Sequence, residues 1–378
     1  MSTERPAPGP RRIVGQGAIA SVSSVPARRL LVDPDAIDPD AIAAGAAALR
    51  AGELVAFPTE TVYGLGAVAT DEEAVRRIFA AKGRPSSDPL IVHVLPDADL
   101  GAVAGGERTD VERRLVDAFW PGPLTLVVPR GQAIGPTVTA GGPSVAVRSP
   151  AHPVALALLA ATGAPIAAPS ANRFSYVSPT SADHVVHDLG TACAVILDGG
   201  RTTWGIESTV VVERDGTLVV LRHGAVTAEE LEAAVGDLVA VVDPAAEVDD
   251  GAAASPGRLA RHYAPATPTI AVAPRAVADD ASAALPPRTT YLGLGGRPSH
   301  LPAAVHFEAL APPGDLVGAA WSLYDALRRI DAEAATDLLL VELTGEAGLG
   351  RALDDRIGRA ASGRRARTAG ELVVLLGD

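Results

Sequence analysis

Residues 54–84 read LVAFPTETVYGLGAVATDEEAVRRIFAAKGR, and the order of elements within that stretch sets the expected fold. Leu54 to Phe57 is a short apolar run of the kind a buried strand uses. Pro58 to Gly66 then reads as a loop, with hydroxyls at Thr59 and Thr61, a carboxylate at Glu60 and small backbone that a ligand can approach closely. Thr70 followed three residues later by Glu73 is a capping box, with Thr70 as N-cap. A helix is therefore expected through Val75, Ile78 and Phe79 to a stop at Ala81-Lys82-Gly83-Arg84-Pro85. Strand, loop and helix in that order are the building unit of a sheet with helices packed on it.

Outward from this stretch the same alternation runs from about residue 29 to residue 242. Helices are expected at Asp40 to Arg50 and Val154 to Ala161, and capping boxes at Thr180 to Asp183 and Thr227 to Glu230 open two more. Strands are expected at Leu90 to Val94, Leu124 to Val128, Val145 to Arg148, Pro165 to Ala168, Ala194 to Leu197, Thr209 to Val212 and Leu218 to Leu221. This pattern predicts an α/β (α+β) domain: a twisted mixed sheet with helices, its loops gathered at one rim. From 243 to 268 the pattern lapses into a linker that nevertheless holds Arg258, Arg261, His262 and Tyr263 within six residues. Side chains of that size lose much entropy when ordered, so the linker is expected to cover a site. Residues 269–378 return to alternation, with strands at Thr269 to Val272, Thr289 to Leu294 and Leu338 to Val341 and helices at Leu316 to Ile330 and Arg351 to Ala361. They predict a smaller, doubly wound, Rossmann-like C-terminal domain. Residues 1–28 read as a flexible extension.

The chain has 378 residues, enough for two cores. Its net charge of −13 disfavours non-specific binding to nucleic acid, so an anionic ligand needs a local cluster of cations. No apolar run is long enough to span a bilayer. The single Cys193 excludes an intrachain disulfide and a Cys-rich zinc site, which points to a reducing cytoplasm. No acidic cluster with the spacing of a metal site is present.

Lys82 is the only lysine, whereas the other 31 of the 32 basic residues are arginine. A chain that prefers the wide guanidinium fork almost everywhere, yet keeps one compact ammonium, marks that position for a phosphate or a carboxylate. The plain alternative is a cation closing a helix, where it complements the negative end of the dipole. Arg148 and Arg222 each end an expected strand, and Pro169-Ser170-Ala171-Asn172 and Ile206-Glu207-Ser208-Thr209 adjoin others. Singly, these are turn and rim residues. Together with Lys82 and Arg84 they form a candidate anion cradle. His93 ends an apolar strand, where a histidine either orients a ligand or is simply hydrogen-bonded. There is no GxxxxGK[ST] loop and no GxSxG elbow, so no covalent nucleophile is indicated and the chemistry is expected to be positional.

Five ordered strings then resemble one known family: PTETVYGLGA (58–67), KGRPSSDPLIVHV (82–94), WPGPLTLVV (120–128), APSANRFSYVSPT (168–180) and GIESTVV (205–211). They are similar to the motifs of the YrdC-like threonylcarbamoyl-AMP synthases. SPGRLARHYAP (255–265) and DLLLVELTGEAGLGRALDDRIGRAA (337–361) resemble the two-domain form of that enzyme. The resemblance implies that L-threonine, bicarbonate and ATP give threonylcarbamoyl-AMP and pyrophosphate. The product would feed modification of the adenosine next to the tRNA anticodon by a separate transferase.

By the same resemblance, Lys82 and Arg84 are the catalytic pair, and Thr61, Lys82, Arg84 and His93 lie at the threonine. Thr125, Arg148, Ser170, Asn172, Ser208 and Arg222 surround ATP, whose Mg²⁺ is held mainly by substrate oxygens. His262 and Tyr263 belong to a segment that folds over the site. Three positions depart from the family pattern: Asp88 stands where asparagine is usual, Phe174-Ser175-Tyr176 where Ser-Gly or Phe-Gly is common, and His223 where proline is frequent. Asp88 adds negative charge beside an anion site and lowers the expected affinity. Two other readings stay open at this point, a double-stranded RNA-binding or ribosome-maturation module and a carbamoyltransferase maturation factor.

Overall fold

The computed structural model describes residues 26–242, 262–277 and 284–377, which form two sheets. Residues 1–25 of the expected extension, and Arg258 and Arg261 of the linker, lie outside the described residues. The first sheet begins one residue earlier than expected, at β1 (Arg28–Leu31). It continues through α1 (Pro39–Arg50), β2 (Val55–Phe57), β3 (Gly64–Val68), α2 (Glu72–Lys82), β4 (Ile91–His93), α3 (Asp110–Phe119), β5 (Leu124–Pro129) and β6 (Ser144–Arg148). Then come α4 (Pro153–Thr162), β7 (Ile166–Ala167), α5 (Ala182–Leu189), β8 (Val195–Asp198), β9 (Thr209–Arg214), β10 (Thr217–Arg222), α6 (Ala228–Val235) and β11 (Ala240–Val242).

The strands line up as β1-β8-β2-β3-β7-β4-β6-β5-β9-β10-β11 with parallel and antiparallel neighbours, the mixed sheet expected. Alternation along β2 shows how the sheet is sandwiched: Ala56 packs into one core with α2, α3, α5 and α6, while Val55 and Phe57 pack into another with α1 and α4.

Local chemistry corrects several expectations. The N-cap of α2 is Asp71, not Thr70: its carboxylate accepts from the Glu73 and Ala74 amides at 3.0 Å. At α5 the N-cap is Ser181, not Thr180. The Thr227 and Glu230 capping box is present as expected. A further box, Thr109 with Glu112, opens the unforeseen α3. The stretch Gly64 to Gly66 is not loop but the start of β3, paired antiparallel to β2. Its glycine content reflects packing, because a Cβ on Gly66 would lie 2.8 Å from both Ile166 and Phe57 side-chain carbons.

The loops do not all gather at one rim. His93 pairs with Arg148 at the ends of β4 and β6, but β7 runs antiparallel to β4, so Ala168 sits beside Ile91 at the start of β4. Since β4 has only three residues, loops from both its ends reach the same place.

The second sheet holds β12 (Thr269–Val272), β13 (Thr289–Gly293), β14 (His306–Ala309), β15 (Leu338–Glu342) and β16 (Arg365–Ala366) in the order β14-β13-β15-β12-β16. All its pairings are parallel, with β15 inserted between β13 and β12. Helices α7 (Leu316–Glu333) and α8 (Leu349–Ala360) cover the face bearing Leu339 and Val341. Leu372 of α9 (Ala369–Gly377) packs on the other face, beside Leu338 and Leu340. Burial on both faces explains the unbroken apolar run 338–341. Among the described residues, no helix is long and apolar enough to cross a membrane.

Candidate active site

The cation at the end of α2 is where the site is built. Gly83 takes the left-handed conformation (φ 63°) that ends the helix, leaving Lys82 as its last residue. So Lys82 does end a helix, as the plain reading held, yet it is buried instead of solvated. Its Nζ donates to the carbonyl oxygens of Ser170 and Asn172, each at 2.5 Å. Burial, and then the neighbouring Arg84 charge, push its pKa well below the usual lysine value.

A cavity of about 50 Å³ lies over β4. Of the residues expected from the sequence, Thr61, Arg84, His93, Arg148, Ser170, Ser208, Arg222, His262 and Tyr263 line it. Lys82, Thr125 and Asn172 stand directly behind the lining: Thr125 shares a 2.8 Å hydrogen bond with Ser208, and the Asn172 side-chain amide donates to the carbonyls of Arg173 and Tyr176 at 2.8 Å. All twelve residues are thus in one neighbourhood.

Three buried guanidiniums reach the cavity from three directions. Arg148 Nη1 donates to Thr61 Oγ1 at 3.0 Å, and its Nη2 makes a 2.5 Å ion pair with Glu60. Arg222 donates to the Ser208 carbonyl and hydroxyl at 3.1 Å each. Arg84 donates to the carbonyl oxygens of Asp88 and Pro89 and forms a 2.9 Å ion pair with the Asp88 carboxylate, so the departure at position 88 directly tethers an expected catalytic cation. His93 lies edge-on to Phe57, and burial with the Arg148 charge lowers its pKa to about 3. It is a neutral imidazole at working pH.

Two described residues at the end of the linker, His262 and Tyr263, form part of the cavity wall. His262 packs edge-on against Phe174 and Tyr263, and burial holds its pKa at about 3. Tyr263 is fully buried with φ 58°, a conformation that strains a non-glycine residue, and stacks on Tyr324 of α7 at 5.6 Å. Ser175, one of the departures, also has positive φ (64°), which accounts for glycine suiting that position, and its carbonyl accepts from the Ala264 amide.

The site also uses residues given no individual role by the sequence. Thr59 shares a 2.8 Å hydrogen bond with Thr61, and Glu60 balances Arg148. Glu207 accepts from Ser178 at 2.6 Å, from Tyr324 of α7 at 2.9 Å and from Arg356 of α8 at 2.8 Å. Burial acts to raise the Glu207 pKa, but the Arg356 and Arg222 charges outweigh it and hold the carboxyl at about 2. Thr59 and Glu60 sat in a recognised loop. Arg356 lies in the string 337–361, which gives it no individual role, because its partner Glu207 is 149 residues away.

Over most of its length the chain is similar to known proteins. Residues 47–224 match the family described as "Telomere recombination", and residues 226–362 match "Threonylcarbamoyl-AMP synthase, C-terminal domain". The threonylcarbamoyl-AMP synthase of Bacillus subtilis is 41% identical over 329 residues, covering 84% of this chain and 92% of that protein. That of Pyrococcus abyssi is 42% identical over 326 residues, with the same two coverages. The crystal structure of P. abyssi Sua5 complexed with L-threonine superposes with a TM-score of 0.79 at 38% identity, covering 90% of this chain and 99% of that one. Both domain matches, the near full-length identity and the shared fold lead to one conclusion: the chain belongs to the threonylcarbamoyl-AMP synthase family, in its two-domain form.

Proposed function

We propose that this enzyme condenses L-threonine, bicarbonate-derived carbon dioxide and ATP into threonylcarbamoyl-AMP and pyrophosphate at the cavity over β4. The observation that carries the reading is the convergence of buried Arg84, Arg148 and Arg222, with Lys82 behind them, on hydroxyls from Thr61, Ser170 and Ser208. Such a cluster suits two anionic substrates held together, which is how positional catalysis works. The threonine amine takes up carbon dioxide to give a carbamate. A carbamate oxygen then forms a bond to the α-phosphorus of ATP as the bond to the bridging oxygen breaks, and pyrophosphate leaves with that electron pair. Lys82 and Arg84 bridge the threonine carboxylate and the phosphates, with Thr61 and His93 on the threonine side. Arg148, Arg222, Thr125, Ser170, Asn172 and Ser208 hold the nucleotide.

At about 50 Å³ the cavity is too small for ATP and threonine, and His262 and Tyr263 line it, so these two residues would move outward to admit substrates and close again over them. Among the described residues no group of His, Cys, Asp and Glu could hold a metal, and Glu60 and Glu207 are already engaged by arginines. That suits a Mg²⁺ ion carried by ATP oxygens and water, which when bound spreads the phosphate charge. The product would pass to a separate transferase acting on tRNA in the cytoplasm. Incubation with ATP, threonine and ¹³C-bicarbonate should yield labelled threonylcarbamoyl-AMP by mass spectrometry. Formation of AMP without a labelled adduct would contradict the reading.

A further inference from the structure

We propose that Arg356, contributed by the second domain, is a positioning residue for the reaction: it fixes the Glu207 carboxylate in the cavity wall and the Tyr263 ring beside it. The inference rests on the reaction proposed above.

Arg356 lies in α8 with no solvent exposure, among the largest fully buried side chains of the protein. Its Nε donates to Glu207 Oε2 at 2.8 Å, Nη2 donates to the His223 carbonyl at 2.8 Å, and Nη1 pairs with Asp355 at 2.5 Å. Its guanidinium carbon stands 5.1 Å from the centre of the Tyr263 ring, within cation–π range. Tyr324 of α7 repeats both contacts, donating to the same Glu207 oxygen and stacking on the same Tyr263 ring. Two helices of the second domain thus hold one carboxylate and one ring, both lining the cavity.

Close packing against Gly205 keeps α7 in place. Gly205, just before Glu207, has φ 74°, and a Cβ there would lie 2.7 Å from the Ala320 oxygen and the Trp321 Cα of α7. Tyr263 holds its positive φ only because its surroundings impose it.

A buried ion pair is a poor source of net stability, but losing one partner leaves the other charge stranded. Besides Arg356, Glu207 faces Tyr324, Ser178, Arg222, His262 and Tyr263. With Arg356 gone, Arg222 is the cation left to it among the described residues. Turning toward Arg222 would draw that guanidinium away from Ser208, and Tyr263 would lose its cation. Catalysis would suffer before substrate binding.

Full-length Arg356→Met, Arg356→Lys and Tyr324→Phe test this. Arg356→Met should keep the threonine KM within about threefold while kcat falls at least tenfold, about 1.4 kcal/mol in barrier. The carboxyl of Glu207, followed by ¹³C NMR and assigned through Glu207→Gln, should titrate well above its position in the unsubstituted chain. The acid side of the kcat profile should move with it. Arg356→Lys should recover most of the rate, and Tyr324→Phe should lower kcat about threefold, the share of one hydrogen bond. A folded Arg356→Met with kcat within twofold of the unsubstituted chain, or with only KM altered, overturns the proposal. If Arg356→Met does not fold, Tyr324→Phe decides, and an unchanged kcat overturns it. If the unsubstituted chain releases no pyrophosphate, the reaction itself is wrong. The Glu207 titration then decides the arrangement, and an unmoved carboxyl in Arg356→Met overturns it.

Discussion

The Lys82 ammonium donates to the carbonyl oxygen of Asn172 at 2.5 Å, joining the end of α2 to the loop that follows β7. Lys82 is buried, and a guanidinium is wider than its ammonium and forms no compact point contact. Lys82→Arg should therefore displace the loop or the substrates by on the order of 1 Å and lose about a hundredfold in pyrophosphate release. Overpacking should lower the melting temperature as well, by an amount equivalent to about 1–3 kcal/mol. Near-normal turnover in this variant would remove Lys82 from the site.

Asp88 holds Arg84 by a 2.9 Å ion pair between two buried side chains. Asp88→Asn keeps the shape and removes the charge, leaving Arg84 to be neutralised by substrate. The expected result is a KM for ATP or threonine lowered about threefold to tenfold, together with a lower melting temperature without ligand, because a buried cation has lost its partner. An unchanged KM with a reduced kcat would show that the pair orients Arg84 and does not compete with substrate.

Burial holds His93 and His262 near pKa 3 and His184 near 4, and lowers His152, against the usual 6.5. Between those values and 6.5 the unfolded chain takes up protons that the folded chain refuses, so stability rises with pH and is lost on acidification. His93 and His262 each account for a loss of about 1.4 kcal/mol per pH unit below 6.5. Glu207, held at about 2, adds to the loss below its usual 4.5. Melting at pH 5 should fall clearly below melting at pH 7, and His93→Gln should shrink the difference. Equal melting temperatures would contradict the assignment of these histidines as neutral.

Gly205→Ala is expected to cost several kcal/mol, since it combines positive φ with a Cβ 2.7 Å from the backbone of α7. Differential scanning calorimetry should show the two domains loosening from one another. A melting profile like that of the unsubstituted chain would mean that α7 yields easily.

The sheet was legible in residues 54–84 and their like because apolar runs and helix stops are local signals. Cap positions were less so. Thr70 and Asp71 are both good caps, and only the backbone turn decides that Asp71 accepts from the helix amides. β3 looked like a loop because glycine signals flexibility in sequence, whereas Gly66 is dictated by Ile166 and Phe57 crowding it. The candidate site was legible where motifs cluster, as at Lys82, Ser170 and Ser208. Arg356 was not, since nothing near it in the chain marks it as the partner of Glu207. The reach of the second domain into the site is a property of the folded chain.

The central claim is a ternary condensation without a covalent enzyme intermediate, and pyrophosphate release by the purified chain tests it most directly. With ATP and Mg²⁺ supplied, release should require threonine and bicarbonate together and should fall to background when either is omitted or when serine replaces threonine. Equal release with serine, or with no amino acid at all, would contradict the account.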